Sequence, residues 1–310
     1  MQTQTDIRSS ITNRIIEALK AGKIPWRKPW SEVPDPVRLP TNFTTKRAYS
    51  GINVPLLWLT QNEKGYPISY WASFQQWKAS GASVRKGERS SQIVFYRQVK
   101  KSVEQEDGTK KVETFPIMRT WSVFNVSQVD GPVAEQFKAK PPVDGIETFE
   151  DVDRKEFDSL IAATEADIRF GHTKAAYLRL PNDFIVMPDQ KMFGSKMFGS
   201  FPGFADTLLH ELAHWTEHRL DWTGTYAEGE LRAEITSSFL SAALNIPNSG
   251  DLTNHAAYVQ SWLQALENDP KHIFKASSAA SKAADYLLGF IRAKEGAEIE
   301  EEEEAAVARS

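Results

Sequence analysis

The chain of 310 residues contains no cysteine. Disulfides, thiol catalysis and Cys-ligated zinc are therefore excluded, and any bound metal must rely on histidine and carboxylate donors. Long apolar runs are also missing. Nothing in the sequence approaches the length of a membrane span, and the opening MQTQTDIRSS has no apolar signal core. A soluble cytoplasmic protein without a membrane partner is the expectation. Charge of one sign is missing too, but only on average. The net charge of −4 hides 20 Lys+Arg against 11 Asp+Glu in residues 1–131, and 17 against 30 in the remainder. A basic front half suits an anionic partner, and an acidic rear half does not share that role.

The length allows two domains. Ile11 to Leu19 reads as an amphipathic helix ended by Gly22, a second helix is expected to begin after Gly51-Ile52-Asn53 within 49–59, and a third is expected over 73–80. Residues 84–101 and 112–129 alternate like strands around the Asp-Gly turn of EQEDGTKK, which predicts an antiparallel hairpin or small sheet. The Pro/Gly-rich and then acidic stretch that follows predicts a boundary near residue 140. The expected organisation is a domain over 1–135, a linker over 136–150, a mostly helical domain over 151–294 and an acidic, disordered tail over 295–310. The second domain should open with a helix over 152–166, followed by a hairpin over 175–188 and helices over 204–220, 229–244, 258–267 and 277–293. The tandem KMFGS repeat at 191–200 reads as a loop. The fold class is α+β.

His210-Glu211-Leu212-Ala213-His214 carries the most specific chemistry. A helix turns once in 3.6 residues, so His210 and His214 share one face and can reach one ion. Glu211 stands where it can accept a proton from water acidified by that ion. A third ligand must come from elsewhere. His218 continues the same stripe but lies too far along a straight helix, and it reads as a surface or cap residue. Glu230 and Glu234, one turn apart on the next helix, are the better candidates. Glu230 is favoured as the ligand and Glu234 as the carboxylate behind a ligating imidazole, with Glu234 as the alternative ligand. Zinc is the expected ion, and Mn²⁺ or Co²⁺ would suit the same donors. Peptide-bond hydrolysis is the leading reaction, with Tyr226, Tyr258 and His172 as candidate donors to an oxyanion.

Six of the nine tryptophans fall in residues 1–131, interleaved with cations. Flat rings beside phosphate-binding cations are what single-stranded nucleic acid requires. Trp58 and Trp77 read as core. The candidate contacts to single-stranded DNA are Trp26, Arg27, Lys28, Trp30, Arg47, Tyr70, Trp71, Arg85, Lys86, Arg89, Tyr96 and Arg97.

Taken together, IPWRKPW, YSGINVPLLWL, SYWASFQQW, VRKGE and HELAHWTEHRL with YAEGELRAEITSSFL resemble the ArdC-type antirestriction proteins of conjugative plasmids over about residues 8–290. The resemblance implies an N-terminal domain that binds single-stranded DNA and a C-terminal zincin-like metallopeptidase domain. It also implies protection of incoming plasmid DNA from host restriction. His210, Glu211 and His214 carry over directly. Glu230 and Glu234 match a family segment usually written EELxAE, in which Gly229 stands here for the first Glu. Two alternatives stay open: a metalloprotease cleaving a host restriction-modification protein recruited by the front half, and a DNA-binding protein with a purely structural metal.

Overall fold

The computed structural model describes residues 4–27, 39–104, 110–137, 154–193, 201–247 and 253–308, and it gives only the backbone at 97–98, 100–104, 110–116, 253–257 and 294–308. The fold is α+β and divides into two compact units. Residues up to Pro25 and those from 39 to 137 form the first unit. Its elements are α1 (Gln4–Lys20), β1 (Thr41–Asn42), α2 (Asn53–Lys64), β2 (Tyr70–Ala72), α3 (Phe74–Ala79), β3 (Ser83–Val84), β4 (Ser91–Glu104), β5 (Lys110–Asn125), β6 (Val129–Asp130) and α4 (Pro132–Glu135).

The main sheet runs β1-β2-β5-β4, with β1 parallel to β2 and the other pairs antiparallel. The hairpin of β4 and β5 is long, pairing Ser91 with Val123 and Glu104 with Lys110. Its root is buried. Asn53 at the start of α2 grips β4 through both amide atoms, donating to Val94 O at 2.8 Å and accepting from Val94 N–H at 2.7 Å. The side-chain amide thus pairs one edge residue of the strand as a neighbouring backbone would. Ile7, Ile11 and Ile15, spaced four apart on α1, are buried together. Ser73 closes a capping box with Gln76 at the head of α3. Trp58 and Trp77 are fully buried, and the Trp77 indole N–H donates to Phe124 O at 3.0 Å.

The second unit comprises α5 (Lys155–Thr164), β7 (Asp167–Arg169), β8 (Ala176–Leu178), β9 (Phe184–Val186), α6 (Phe201–Trp215), α7 (Tyr226–Ala243), α8 (Thr253–Asn268) and α9 (His272–Ala308). The short sheet runs β7-β9-β8, leaving β8 as an edge strand antiparallel to β9. α7 is buried from Gly229 to Ala242 and packs against α6 and α9, so it is the central helix of this unit. Its start is fixed by Thr225, whose side chain accepts from Glu228 N–H while Glu228 accepts from Thr225 N–H. No described helix is long and apolar enough to cross a membrane.

Two expectations need correction here. Trp26 and Arg27 belong to the second unit rather than the first. Trp26 meets the edge of Trp262 at 5.2 Å, and Arg27 pairs with Asp206 on α6 at 3.0 Å. The acidic tail is not irregular, because α9 continues to Ala308. Glu and Ala are strong helix formers, and they extend a helix whose nucleus is already formed. Most of the 136–150 linker and most of the KMFGS repeat lie outside the described residues.

Candidate metal centre and candidate nucleic-acid interface

α6 presents Phe204, Leu208 and Leu212 to the core and turns His210 and His214 toward α7. His210 Nε2 lies 3.2 Å from His214 Nε2. From the start of α7, Glu230 brings Oε2 to 3.4 Å from His210 Nε2 and Oε1 to 3.5 Å from His214 Nε2. Ligands held tetrahedrally about 2.0–2.1 Å from an ion would sit roughly 3.3–3.4 Å apart. The three observed separations bracket that spacing, so the donor set fits a divalent ion. Glu230 is buried. Burial opposes its charge, but hydrogen bonds to both imidazoles hold its carboxyl far below the ordinary value. Burial likewise disfavours protonation of His210, yet Glu230, Glu234 and Glu211 outweigh it and push this imidazole well above the usual range. Carboxylates crowded around two imidazoles make a site that seeks positive charge.

Three further contacts organise the centre. Glu234 Oε2 stands 3.7 Å from His210 Nδ1, behind the ring. Glu217 Oε1 accepts from His214 Nδ1 at 2.9 Å. Glu211 is buried and its Oε2 accepts the backbone N–H of Tyr177, on edge strand β8, at 2.7 Å. Tyr226 is 68 % exposed, and its hydroxyl is engaged by Tyr258 and Glu230, which raise its pKa together with partial burial. His172 is exposed in the connection between β7 and β8, and His218 is exposed just beyond α6. Sequence reasoning passed over Glu217 and the Tyr177 N–H. Glu217 had a signal, since it sits three residues beyond His214, within reach of the same helix face. The Tyr177 contact has none, because a backbone group on a distant strand leaves no mark in residue type.

The aromatic expectations divide. Trp71 is fully buried beside Leu57 and Val123, and its indole N–H donates to Ser69 Oγ at 3.2 Å. Trp26 is fully buried as well. Neither has a face for a base, and both are corrected to core residues. Arg27, paired with Asp206 and 10 % exposed, is corrected to a structural cation. Arg85 is engaged by Glu88 at 2.8 Å and by the carbonyl of Ser127, so it holds its own loop. Tyr70 is half-buried, edge-on to Phe43 and Phe137. Tyr96 is 47 % exposed, but its hydroxyl is engaged by Arg8 of α1. Arg47, Lys86 and Arg89 are exposed. Lys28, Trp30 and the Arg97 side chain lie outside the described residues.

The hairpin supplies a face that sequence reasoning did not select. Directly opposed residues of an antiparallel pair share a face, and successive residues alternate. Ile93 opposes Trp121 and Phe95 opposes Arg119. Trp121 is 57 % and Phe95 55 % exposed, and Arg119 is exposed beside them. The other face carries Val94 and Met118, both buried. On the first face Ser91 and Val123 at the root are buried and Ile93 packs beside Leu57 and Trp71, and beyond them two open rings and a cation stand together.

Residues 5–124 match the family model of the N-terminal domain of the anti-restriction factor ArdC, and residues 155–279 match that of a zincin-like metallopeptidase. An uncharacterized protein, y4eC, of Sinorhizobium fredii is 32 % identical over 299 residues, covering 92 % of each chain. The DNA primase TraC of Escherichia coli is 35 % identical over an alignment of 313 positions that covers 93 % of this chain but 28 % of TraC, so this chain spans about a quarter of that relative. Crystal structures of the antirestriction protein ArdC from plasmid R388 are 37 % identical. The metal-free form superposes with a TM-score of 0.75 over 93 % of this chain and 98 % of that one. The Mn(II)-bound form superposes with a TM-score of 0.69 over 92 % and 98 %. The chain belongs to the ArdC family of antirestriction proteins.

Proposed function

We propose that this protein binds single-stranded DNA through its first unit, carries a metal-dependent peptidase-like centre in its second, and shields incoming conjugative plasmid DNA from host restriction. The observation that carries the reading is the convergence of His210, His214 and Glu230 with Glu211 beside them. Zinc is the proposed ion, with Mn²⁺ or Co²⁺ as alternatives that suit the same donors. When bound, the ion would supply Lewis acidity toward a carbonyl and would acidify water. The residues do the rest. The Tyr177 N–H holds Glu211 Oε2, which leaves Oε1 to take a proton from the attacking water. The Tyr226 hydroxyl, exposed next to Glu230, can donate toward a developing oxyanion.

On the nucleic-acid side, Trp121, Phe95 and Arg119 support the reading: two rings able to stack and a cation able to meet phosphate, exposed together on one face of the hairpin. Arg47, Lys86 and Arg89 add exposed positive charge to the same unit. The partner of the peptidase-like centre is proposed to be a host restriction-modification protein. The deciding experiment compares wild type with Glu211→Ala for plasmid transfer into restricting and non-restricting recipients. Loss of protection only in restricting recipients, with DNA binding intact, supports proteolysis as part of the function. Full protection by the variant removes proteolysis from it and leaves the metal a structural part.

A further inference from the structure

We propose that Glu217 is the positioning residue for the metal ligand His214, and that Gly229 is glycine in order to make room for it. The inference rests on the metal-centre reading above. Glu217 lies three residues beyond His214, in the turn just past α6, with its side chain 9 % exposed, and both its oxygens are committed. Oε1 accepts from His214 Nδ1 at 2.9 Å, and Oε2 accepts from Arg179 Nη2 at 2.7 Å. Arg179 follows β8 directly, so the hairpin that supplies the Tyr177 N–H to Glu211 also anchors this carboxylate. A proton held on Nδ1 leaves the Nε2 lone pair free, and Nε2 is the atom that faces His210 and Glu230. Glu217 thereby selects the tautomer that can bind a metal and fixes the ring's rotation.

Gly229 is the complementary half. It sits in the first turns of α7 with an ordinary helical φ, so conformational freedom does not call for glycine, and glycine within a helix costs stability relative to alanine. Space does call for it. A Cβ at position 229 would stand 3.2 Å from Glu217 Oε1, closer than ordinary van der Waals contact. A side chain there requires the carboxylate to give by a few tenths of an ångström, against its hydrogen bonds to His214 and Arg179. The same number has a converse. A glutamate's own carboxylate oxygens lie about 3–3.6 Å from its Cβ by ordinary bond geometry. A glutamate at 229 could therefore bring an oxygen to the point where Glu217 Oε1 now lies. Positions 217 and 229 are two routes to one carboxylate, and this chain uses 217.

The test measures Zn²⁺ and Co²⁺ affinity of the full-length protein by competition with a chelating dye, alongside the visible absorption spectrum of the Co²⁺ form. Variants are Glu217→Ala, Glu217→Gln, Gly229→Ala, Gly229→Glu and the double exchange Glu217→Gly with Gly229→Glu. Glu217→Ala is expected to weaken metal binding about 10- to 100-fold and to shift the Co²⁺ spectrum, in line with the loss of a carboxylate behind a ligating histidine. Glu217→Gln, which keeps shape and an acceptor, should lose less. Gly229→Ala should move in the same direction as Glu217→Ala. The double exchange should recover affinity that neither single exchange retains. Wild-type affinity and an unchanged spectrum in both Glu217 variants would overturn the inference. Absence of metal binding by the wild type would instead bring down the metal-centre reading beneath it. If Glu217→Ala does not fold, as judged by melting of the metal-free protein, the near-isosteric Glu217→Gln and the double exchange decide.

Discussion

Trp121 offers the sharpest test of the nucleic-acid face. It leaves 57 % of its surface open, about 140 Å² of a side chain that can bury about 250 Å². A base laid on one ring face covers about half of that, and ~25 cal/mol per Å² makes the contact worth ~1.8 kcal/mol. This falls within the ~1–3 kcal/mol found for base–aromatic stacking. Trp121→Ala should therefore weaken binding to single-stranded DNA about 20-fold. Phe95→Ala, with a smaller ring and 55 % exposure, should cost somewhat less. Arg119→Gln should reduce the slope of log affinity against log salt by about 0.7, the share of one phosphate contact on a single strand. Fluorescence anisotropy of a labelled oligonucleotide, single-stranded and duplex in parallel, measures all three on the full-length protein. Single-strand affinity unchanged in both Trp121→Ala and Phe95→Ala would refute the stacking face. Equal losses on single strand and duplex would refute the role of the rings as base platforms.

Other outcomes follow from the second unit. Arg219, hydrogen-bonded to Asp183, holds its carboxyl below the usual range against some burial. That contribution is present above the unfolded carboxylate value of about 4 and is lost as pH falls through the lower folded value. Asp183→Asn should lower stability at neutral pH and flatten the acid limb of a stability–pH curve, whereas an unchanged acid limb would count against the pair. Arg232, 1 % exposed with its pKa lowered to about 10 by burial, donates to Ala213 O at 2.9 Å and to Thr216 Oγ1 at 2.5 Å. Arg232→Met removes both of these buried, charge-assisted hydrogen bonds, although Ala213 O keeps Thr216 as a donor, and should cost about 1–3 kcal/mol in urea unfolding; an unmoved midpoint would deny the helix-end role. A divalent ion at a hundred times its dissociation constant should add ~2.7 kcal/mol of stability. The rise in melting temperature should vanish in His214→Ala.

The convergence of side chains at the candidate metal centre was legible because helix periodicity is a strict rule. Two histidines four apart must share a face, and a carboxylate on the next helix is the economical third ligand. Glu230 lies within 3.5 Å of both imidazoles for that reason. The pairing of β4 with β5 was legible from alternation, and the Asp-Gly pair expected between them lies outside the described residues. Burial of individual aromatics was not. Alternation tells which residues share a face of β4 and β5, but not which face the helices cover. Nor does it tell how far the cover extends along a face: Trp71, opposite Asn125, shares a face with Trp121, yet Trp71 packs beside Leu57 of α2 and the two end up at 0 % and 57 % exposure. Trp26 and Arg27 escaped for a different reason. Their partners Trp262 and Asp206 are far along the chain, and no local pattern announces a contact of that range. Glu217 was hidden by its neighbour, because His218 occupies the more conspicuous fourth position.

The central claim is that one cation is held by two side chains of α6 and one of α7. Anomalous diffraction from crystals grown with Zn²⁺ or Mn²⁺ tests it most directly. The account predicts a single strong peak about 2.0–2.2 Å from His210 Nε2, His214 Nε2 and a carboxylate oxygen of Glu230. A peak bound by Glu234 in place of Glu230, or no peak between the two imidazoles under saturating metal, would contradict it.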